Sequence, residues 1–149
     1  MNRALDVAIA GTGLVLSSPV LALSALAVKL EDGGPVLYRQ TRVGQDGIDF
    51  ELLKLRTMVV GAEKRGAGFA VDKGDSRITR VGRVLRRLSF DELPQLWNVV
   101  RGDMAIIGPR PTLRYQVEQY DERQRHRLDV KPGITGWAQI HGRATLPWA

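Results

Sequence analysis

The feature that most constrains this chain is an uncharged, apolar run from Val7 to Val28, close to the N-terminus. At about 1.5 Å per residue, a helix over this run is about 33 Å long, enough to cross a hydrocarbon core of about 30 Å. The run therefore predicts either a membrane segment or a signal sequence that is removed.

Two interpretations of the apolar run are ordinary. A signal peptide is consistent with Arg3 and with a cleavage site at Ala25-Leu26-Ala27, although the apolar part of a signal peptide usually covers only about 7–15 residues. A simple spanning helix is the second interpretation.

The third interpretation is a re-entrant helix, which enters and leaves the membrane on the same face. Pro19 favours it, because a proline in mid-segment removes a backbone donor and frees a carbonyl group. Ser17 and Ser18 are placed to satisfy that carbonyl, which lipid cannot do. Arg3 and Lys29 flank the run at both ends, so the excess of cations on one side that usually orients a helix is missing. A helix with both of its ends on one face of the membrane would fit this pattern.

Composition limits the remaining functions. The formal net charge of +6 indicates anionic partners, such as nucleic acid, acidic lipid head groups or phosphorylated small molecules. The chain has no cysteine, which excludes disulfides and thiolate zinc sites. Two histidines are too few for a histidine-rich metal cluster. The length is that of one ordinary domain.

The body of the chain begins with a predicted β-hairpin. Asp46-Gly47 lies between two β-prone runs, 36–40 and 48–52, and this pair is typical of a hairpin turn. Further on, Pro132, Gly133 and Gly136 predict an irregular C-terminal stretch.

A basic amphipathic helix is predicted between Arg77 and Leu88. An arginine recurs at every third position from Arg77 to Arg86, next to an apolar stripe. The arginines are either a solvated face or a face directed at anionic lipid or phosphates. No aromatic residue is interleaved with them, as a platform for single-stranded nucleic acid would require.

Two adjacent carboxylates, Asp91 and Glu92, form the densest candidate site. Ser89 and Glu92 have the spacing of a helix capping box, with Ser89 as N-cap, so a structural role is one hypothesis. The other hypothesis is chemical. One carboxylate attacks a phosphorus centre, and the other holds a hard divalent cation such as Mg²⁺. From these residues alone both hypotheses stay open.

Two further groups of cations are candidates for phosphate binding. In Gly108-Pro109-Arg110-Pro111 two prolines stiffen a turn around Arg110, whose planar fork suits phosphate oxygens, unless this is only a rigid surface loop. Lys54 and Arg56 project to the same face at the end of the second predicted strand. Lys54 and Arg56 either form a further cationic patch, after the arginine repeat and Arg110, or are solvated charges on an edge strand.

Taken together in order and spacing, several blocks resemble the bacterial sugar transferase family, the monotopic phosphoglycosyl transferases that begin exopolysaccharide, O-antigen and glycan assembly. The similarity runs from about Leu5 to Trp148. Its blocks are Ser18-Pro19, Tyr38-Arg39-Gln40-Thr41-Arg42-Val43-Gly44, Lys54-Leu55-Arg56-Thr57-Met58, Ile78-Thr79-Arg80-Val81-Gly82, Asp91-Glu92-Leu93-Pro94-Gln95-Leu96, Gly108-Pro109-Arg110-Pro111, Pro132-Gly133-Ile134-Thr135-Gly136-Trp137-Ala138-Gln139 and Gly142-Arg143.

The resemblance implies a ping-pong mechanism. Asp91 attacks the β-phosphate of a UDP-sugar, expels UMP and carries the phosphosugar until polyprenyl phosphate takes it. By the same resemblance Glu92 binds Mg²⁺, Arg110 binds phosphate, and Arg86 and Arg143 contact the nucleotide diphosphate. The implied partners are a UDP-sugar, polyprenyl phosphate and the inner leaflet, without nucleic acid. The sequence names neither the sugar nor the oligomeric state.

The resemblance also implies the architecture. We expect an α+β chain with a re-entrant membrane helix over residues 1–30, broken at Ser18-Pro19. A small, mostly helical catalytic domain with a short β-hairpin would follow over residues 31–149. This domain would face the cytoplasm at the bacterial inner membrane. Family members continue beyond Ala149, so we expect the domain to be truncated at its C-terminus.

Two alternatives to a membrane-bound transferase stay open at this stage. One is a membrane-anchored basic binding module without catalysis. The other is a domain secreted after cleavage of the apolar run.

Overall fold

A computed structural model describes residues 2–65, 74–136 and 140 of the chain as a mixture of helices and short strands. The helices are α1 (Arg3–Asp32), α2 (Arg80–Leu88), α3 (Gln95–Arg101), α4 (Arg114–Val117) and α5 (Glu122–Arg125). The strands are β1 (Leu37–Val43), β2 (Asp49–Leu55), β3 (Ala105–Ile107) and β4 (Gly133–Thr135). Short 3₁₀ turns lie at Gln45–Gly47, Ala62–Lys64, Phe90–Glu92 and His126–Leu128.

The apolar run forms α1, which within the described residues is the one helix long and apolar enough to cross a membrane. In an apolar stretch of 18 residues within α1, only 11 % is buried inside the protein, so α1 does not resemble the core helix of a soluble domain. Large apolar side chains are exposed along its length, as at Val15 (72 %), Leu16 (75 %) and Leu23 (69 %). Apolar surface of this extent is stable only against lipid or another apolar partner.

The predicted break at Ser18-Pro19 does not end the helix. The structure assigns α1 as helical without interruption, with Pro19 inside it. A proline removes one donor from the hydrogen-bond ladder, and this loss is compatible with a helix that continues on both sides. The re-entrant course of α1 remains a prediction.

The chain divides into two compact units. The first unit contains residues 1–15, 39–52 and 95–149, and the second contains residues 16–38 and 53–94.

In the first unit, a core of Ala10, Leu52, Val99 and Met104 joins the start of α1 to β2 and α3. The parallel strands β3 and β4 pair Ala105 with Gly133. This pairing was not predicted, because the C-terminal stretch looked irregular in sequence. It depends on two glycines, since a Cβ at Gly133 would overlap the backbone of Gly108.

Polar contacts also hold the first turns of α1 in this unit. The Arg3 guanidinium donates to the backbone oxygen of Val99 at 2.5 Å and to that of Val100 at 2.7 Å. These carbonyls belong to the last turn of α3, where a cation is favourable. The buried Asp6 carboxylate accepts from the Ile106 N–H at 3.0 Å.

In the second unit, Val28 of α1, Leu55 of β2 and Leu85 of α2 form the buried core. Thr79 is the N-cap of α2, and its side chain accepts from the Gly82 N–H at 2.9 Å. The predicted basic helix is therefore shorter than its sequence pattern. Arg77 lies before it and is buried in a bidentate pair with Asp75.

The predicted hairpin is confirmed. β1 and β2 form a two-stranded sheet, joined by the turn Gln45–Gly47. Asp46 (φ 56°) and Gly47 (φ 74°) adopt left-handed backbone conformations there, which Asp and Gly tolerate better than other residues.

Candidate active site

Asp91 lies in the second unit, in the 3₁₀ turn Phe90–Glu92 that follows α2. Only 8 % of its surface is exposed. The turn begins at Ser89, which has a left-handed backbone (φ 59°, ψ 21°) and ends α2 with its N–H directed at the Arg86 oxygen. A residue other than glycine in this region is strained, and such strain is found preferentially at functional sites. The geometry presents Asp91 from a constrained turn.

The predicted capping box is wrong. Ser89 has no side-chain cap bond to the turn that follows it. Its left-handed backbone differs from the extended conformation that an N-cap residue normally takes. The Glu92 side chain pairs with a lysine, since its Oε1 accepts from the Lys54 Nζ at 3.0 Å. Both side chains are about one-fifth exposed, which is 20 % for Lys54 and 21 % for Glu92.

The pKa of Asp91 is raised above its ordinary value, chiefly because burial disfavours the charged form. The Lys54 ammonium group opposes this rise, the Glu92 carboxylate adds to it, and the Arg86 guanidinium opposes it. The carboxylate is thus poorly hydrated and has two cations in its surroundings. That combination suits an anionic nucleophile that must attack a phosphate ester.

Arg86 is held on the inner face of α2. Its Nε donates to the Thr57 Oγ1 at 2.8 Å, and Thr57 is buried. The close approach of α2 to residue 57 requires Gly82, since a Cβ there would overlap the Thr57 carbonyl group. Thr57 had no role in the sequence-based site, because nothing in the sequence marks a threonine beyond the end of a strand as a partner for Arg86.

Of the two cations predicted to form a patch at the end of β2, only Lys54 lies with the acidic pair. Arg56 is buried and donates to both oxygens of Asp32 and to the backbone oxygens of Pro35 and Met58. Its guanidinium joins the C-terminal end of α1 to the segment just after β2. These contacts give Arg56 a structural role, and its part in phosphate binding stays a prediction.

Arg110 lies in the first unit, on the exposed turn after β3. The turn is fixed on both sides, because the Pro109 oxygen accepts from the Gly133 N–H and the Thr112 oxygen accepts from the Val43 N–H at 3.0 Å. Arg110 lines a small cleft that also contains Arg127 and Tyr120. Two guanidinium groups at one cleft fit an anion. Arg143 lies outside the described residues.

Glu92 is the residue predicted to bind Mg²⁺. Within the described residues, no group of three or more His, Asp and Glu side chains could enclose a metal ion. Mg²⁺ usually needs only one or two protein carboxylates, with substrate phosphates and water completing its octahedron. Glu92 supplies one such carboxylate, and its binding of Mg²⁺ stays a prediction.

Comparison with known proteins identifies the family of the chain. The family model for bacterial sugar transferases matches residues 1–149. The chain belongs to the bacterial sugar transferase family. It is 47 % identical over 148 residues to the UDP-N-acetylgalactosamine-undecaprenyl-phosphate N-acetylgalactosaminephosphotransferase of Aeromonas hydrophila, covering 97 % of this chain and 35 % of that protein.

Other members are similar over nearly all of this chain. A UDP-glucose:undecaprenyl-phosphate glucose-1-phosphate transferase of Caulobacter vibrioides is 48 % identical over 144 residues, covering 95 % of this chain and 54 % of that protein. An uncharacterized sugar transferase of Bacillus subtilis is 41 % identical over 148 residues, covering 99 % of this chain and 72 % of that protein. The chain thus spans about a third to a half of the length of the first two relatives.

Proposed function

We propose that this chain carries the catalytic region of a phosphoglycosyl transferase, which moves a sugar 1-phosphate from a UDP-sugar to undecaprenyl phosphate. The observation that carries the proposal is the buried Asp91 carboxylate, held in a strained turn in the electrostatic field of Lys54 and Arg86. Family membership supports the reaction class, because relatives named for this reaction match nearly the whole chain.

The proposed reaction has two displacements at one phosphorus atom. An Asp91 carboxylate oxygen attacks the β-phosphorus of the UDP-sugar, the bond from that phosphorus to the bridging oxygen breaks, and UMP leaves with the electron pair. The product is an acyl phosphate that links Asp91 to the sugar phosphate. An oxygen of undecaprenyl phosphate then attacks the same phosphorus and releases Asp91 as a carboxylate. The lipid product is a diphosphate-linked sugar.

Other side chains have separate tasks in this scheme. Lys54 and Arg86 favour the ionised form of Asp91 and offset the charge of the approaching diphosphate. Glu92, with Asp91 beside it, would hold Mg²⁺, which neutralises phosphate oxygens when bound. Arg110, on its stiff turn, and Arg143 are proposed as further phosphate ligands.

The membrane course of α1 is proposed to be re-entrant. Pro19 lies inside α1 and removes one donor from its hydrogen-bond ladder. Arg3 and Lys29 flank the apolar run at its two ends, so the charge asymmetry that usually orients a spanning helix is missing. Both features support a course in which α1 enters and leaves on one side of the membrane.

We further propose that this side is the cytoplasm, at the inner membrane, because UDP-sugars are cytoplasmic substrates. A signal peptide is the competing explanation of α1. Intact-mass measurement of the membrane-bound protein distinguishes them, since the re-entrant proposal requires that residues 1–27 are retained. A mature protein that begins after Ala27 would rule the proposal out.

The donor is proposed only as a UDP-sugar. Relatives with identities of 47 % and 48 % are named for different sugars, N-acetylgalactosamine and glucose. A difference this small does not favour either sugar. A panel of UDP-sugars is therefore part of the test.

Asp91→Asn tests the proposed function. The full chain in membranes is incubated with Mg²⁺ and each UDP-sugar, and UMP release and a phosphosugar adduct on residue 91 are measured. We expect both signals from the native chain and neither from Asp91→Asn. Asp121→Asn is the matched control, because Asp121 is an exposed N-cap of α5 and asparagine caps a helix equally well. It should retain full UMP release.

The competing function is a membrane-anchored basic binding module. Such a module would lose nothing in Asp91→Asn, because it has no nucleophile, and it would release no UMP from any donor. Absence of both UMP release and adduct with every sugar, from a folded native chain, would sink the catalytic proposal.

A further inference from the structure

Helix α2 has a second face that the proposed active site does not use. At about 100° per residue, five exposed residues fall within one arc of about 140°. We name this arc the outer face of α2, and its members are Arg80, Arg83, Val84, Arg87 and Leu88. Gly82 and Leu85 are buried on the opposite side of the helix.

The outer face combines three arginines with exposed apolar groups. Val84 is 56 % exposed and Leu88 is 52 % exposed. The side chains of Arg80, Arg83 and Arg87 form no ion pair within residues 2–65, 74–136 and 140. Helix α2 itself contains no acidic residue. Three cations beside two aliphatic side chains form an amphipathic surface complementary to an anionic one.

A contact between α1 and α2 places this surface beside the membrane helix. The Glu31 carboxylate accepts from the Arg80 N–H at 2.7 Å and from the Val81 N–H at 3.2 Å. Glu31 follows Leu30, an α1 residue that is 76 % exposed. The first turn of α2 is thus bonded directly to the last turn of the apolar helix.

We propose that the outer face of α2 docks on anionic phospholipid head groups at the point where α1 leaves the membrane. Arg80, Arg83 and Arg87 bind the phosphates, and Val84 and Leu88 enter the boundary with the acyl chains. The proposal goes beyond the transferase function, because Arg86 is the α2 cation assigned to the site and it points to Thr57 instead.

The chain contains no cysteine, so single labels can be placed cleanly. Val84→Cys is spin-labelled in the full chain and reconstituted in vesicles of phosphatidylcholine with or without phosphatidylglycerol. Accessibility to oxygen, which partitions into lipid, is compared with accessibility to a water-soluble nickel complex. We expect the label to be protected from nickel in the anionic vesicles and accessible to it in the neutral ones. Equal exposure to nickel in both vesicles would overturn the proposal.

A pair of charge-matched variants separates a specific surface from bulk charge. Each basic residue near an anionic surface contributes about fivefold to binding, the equivalent of roughly 1 kcal/mol. Arg83→Gln with Arg87→Gln should therefore lower the ratio of docked to undocked label about 25-fold. Arg123→Gln with Arg125→Gln removes two exposed cations from α5 and should leave the ratio unchanged. An equal loss in both double variants would refute a role specific to α2.

A label at Leu16→Cys distinguishes this proposal from the membrane assignment of α1. Leu16 is 75 % exposed, so its label should be in lipid in both kinds of vesicle. If the Leu16 label is in lipid and the Val84 label is in water in both kinds of vesicle, the docking surface is refuted and the membrane assignment of α1 stands. If neither label reaches lipid, both are refuted. UMP release is measured separately and bears only on the transferase function.

Discussion

The close approach of α2 to residue 57 leads to a prediction at Gly82. Glycine inside a helix normally destabilises it by about 1 kcal/mol relative to alanine, so Gly82→Ala should stabilise an isolated helix. In the folded chain an alanine Cβ would lie 2.6 Å from the Thr57 carbonyl carbon and would overlap its oxygen. Backbone atoms cannot turn aside as a flexible side chain can. Helix α2 would have to move away from residue 57.

The cost of this movement exceeds the gain in helix propensity. Overpacking costs about 1–3 kcal/mol. Two hydrogen bonds cross the same gap, Thr79 N–H to the Thr57 oxygen at 3.0 Å and Arg86 Nε to the Thr57 Oγ1 at 2.8 Å. The backbone bond contributes about 1 kcal/mol to stability, and the bond from the charged Arg86 side chain contributes about 1.5–3 kcal/mol. Because one displacement weakens all three, the costs do not add in full. Against the gain of about 1 kcal/mol, we expect a net loss of about 2–4 kcal/mol.

Thermal unfolding of the purified chain in detergent, followed by circular dichroism, measures the effect. The expected loss corresponds to a Tm about 4–16 °C lower for a chain of this size. Gly11→Ala is the control, since Gly11 lies inside α1 and its added Cβ would meet no atom within 4 Å outside the helix's own backbone. The gain in helix propensity is unopposed there, so its Tm should be about 2–4 °C higher than that of the native chain. If Gly82→Ala unfolds at the native temperature or above it, the tight packing of α2 on residue 57 is refuted.

Two further predictions concern the acid and a buried hydroxyl pair. Because burial raises the pKa of Asp91, the initial rate of UMP release should rise with pH through a midpoint above the ordinary aspartate value of 3.8. Lys54→Met should move this midpoint higher still, since the Lys54 ammonium group lowers the pKa of Asp91. An unshifted midpoint in Lys54→Met would contradict the role of that ammonium group. The Thr112 Oγ1 and the Tyr120 hydroxyl lie 2.8 Å apart and are buried, so Thr112→Val should lower stability by about 1–3 kcal/mol. Adding Tyr120→Phe should recover part of this loss, and additive losses in the double variant would refute the bond.

Local sequence patterns predicted the elements that depend on neighbouring residues alone. The apolar run became α1, because its length and the absence of charge are properties of consecutive residues. Asp46-Gly47 became the hairpin turn, since these two residues adopt the left-handed conformation at low cost. The same local information made Asp91 and Glu92 a candidate pair.

Patterns failed where a distant partner decides the conformation. Ser89 has the spacing of an N-cap, but its left-handed backbone ends α2 instead. Arg77 continues the arginine repeat, yet Asp75 and the backbone oxygens of residues 62 and 65 hold it outside the helix. Arg56 shares a strand face with Lys54 in sequence, and the Asp32 carboxylate binds it instead.

The sequence by itself thus determined the long apolar helix, the hairpin, the family resemblance and the acidic pair. The tertiary structure decided which cations accompany that pair: Lys54 and Arg86 surround Asp91, and Arg56 does not. It also separated the two faces of α2, one directed at Thr57 and one exposed. The physical reason is that helix periodicity and turn preference act within a few residues. The burial that raises the pKa of Asp91, and the pairing of each cation, depend on residues far apart in the chain.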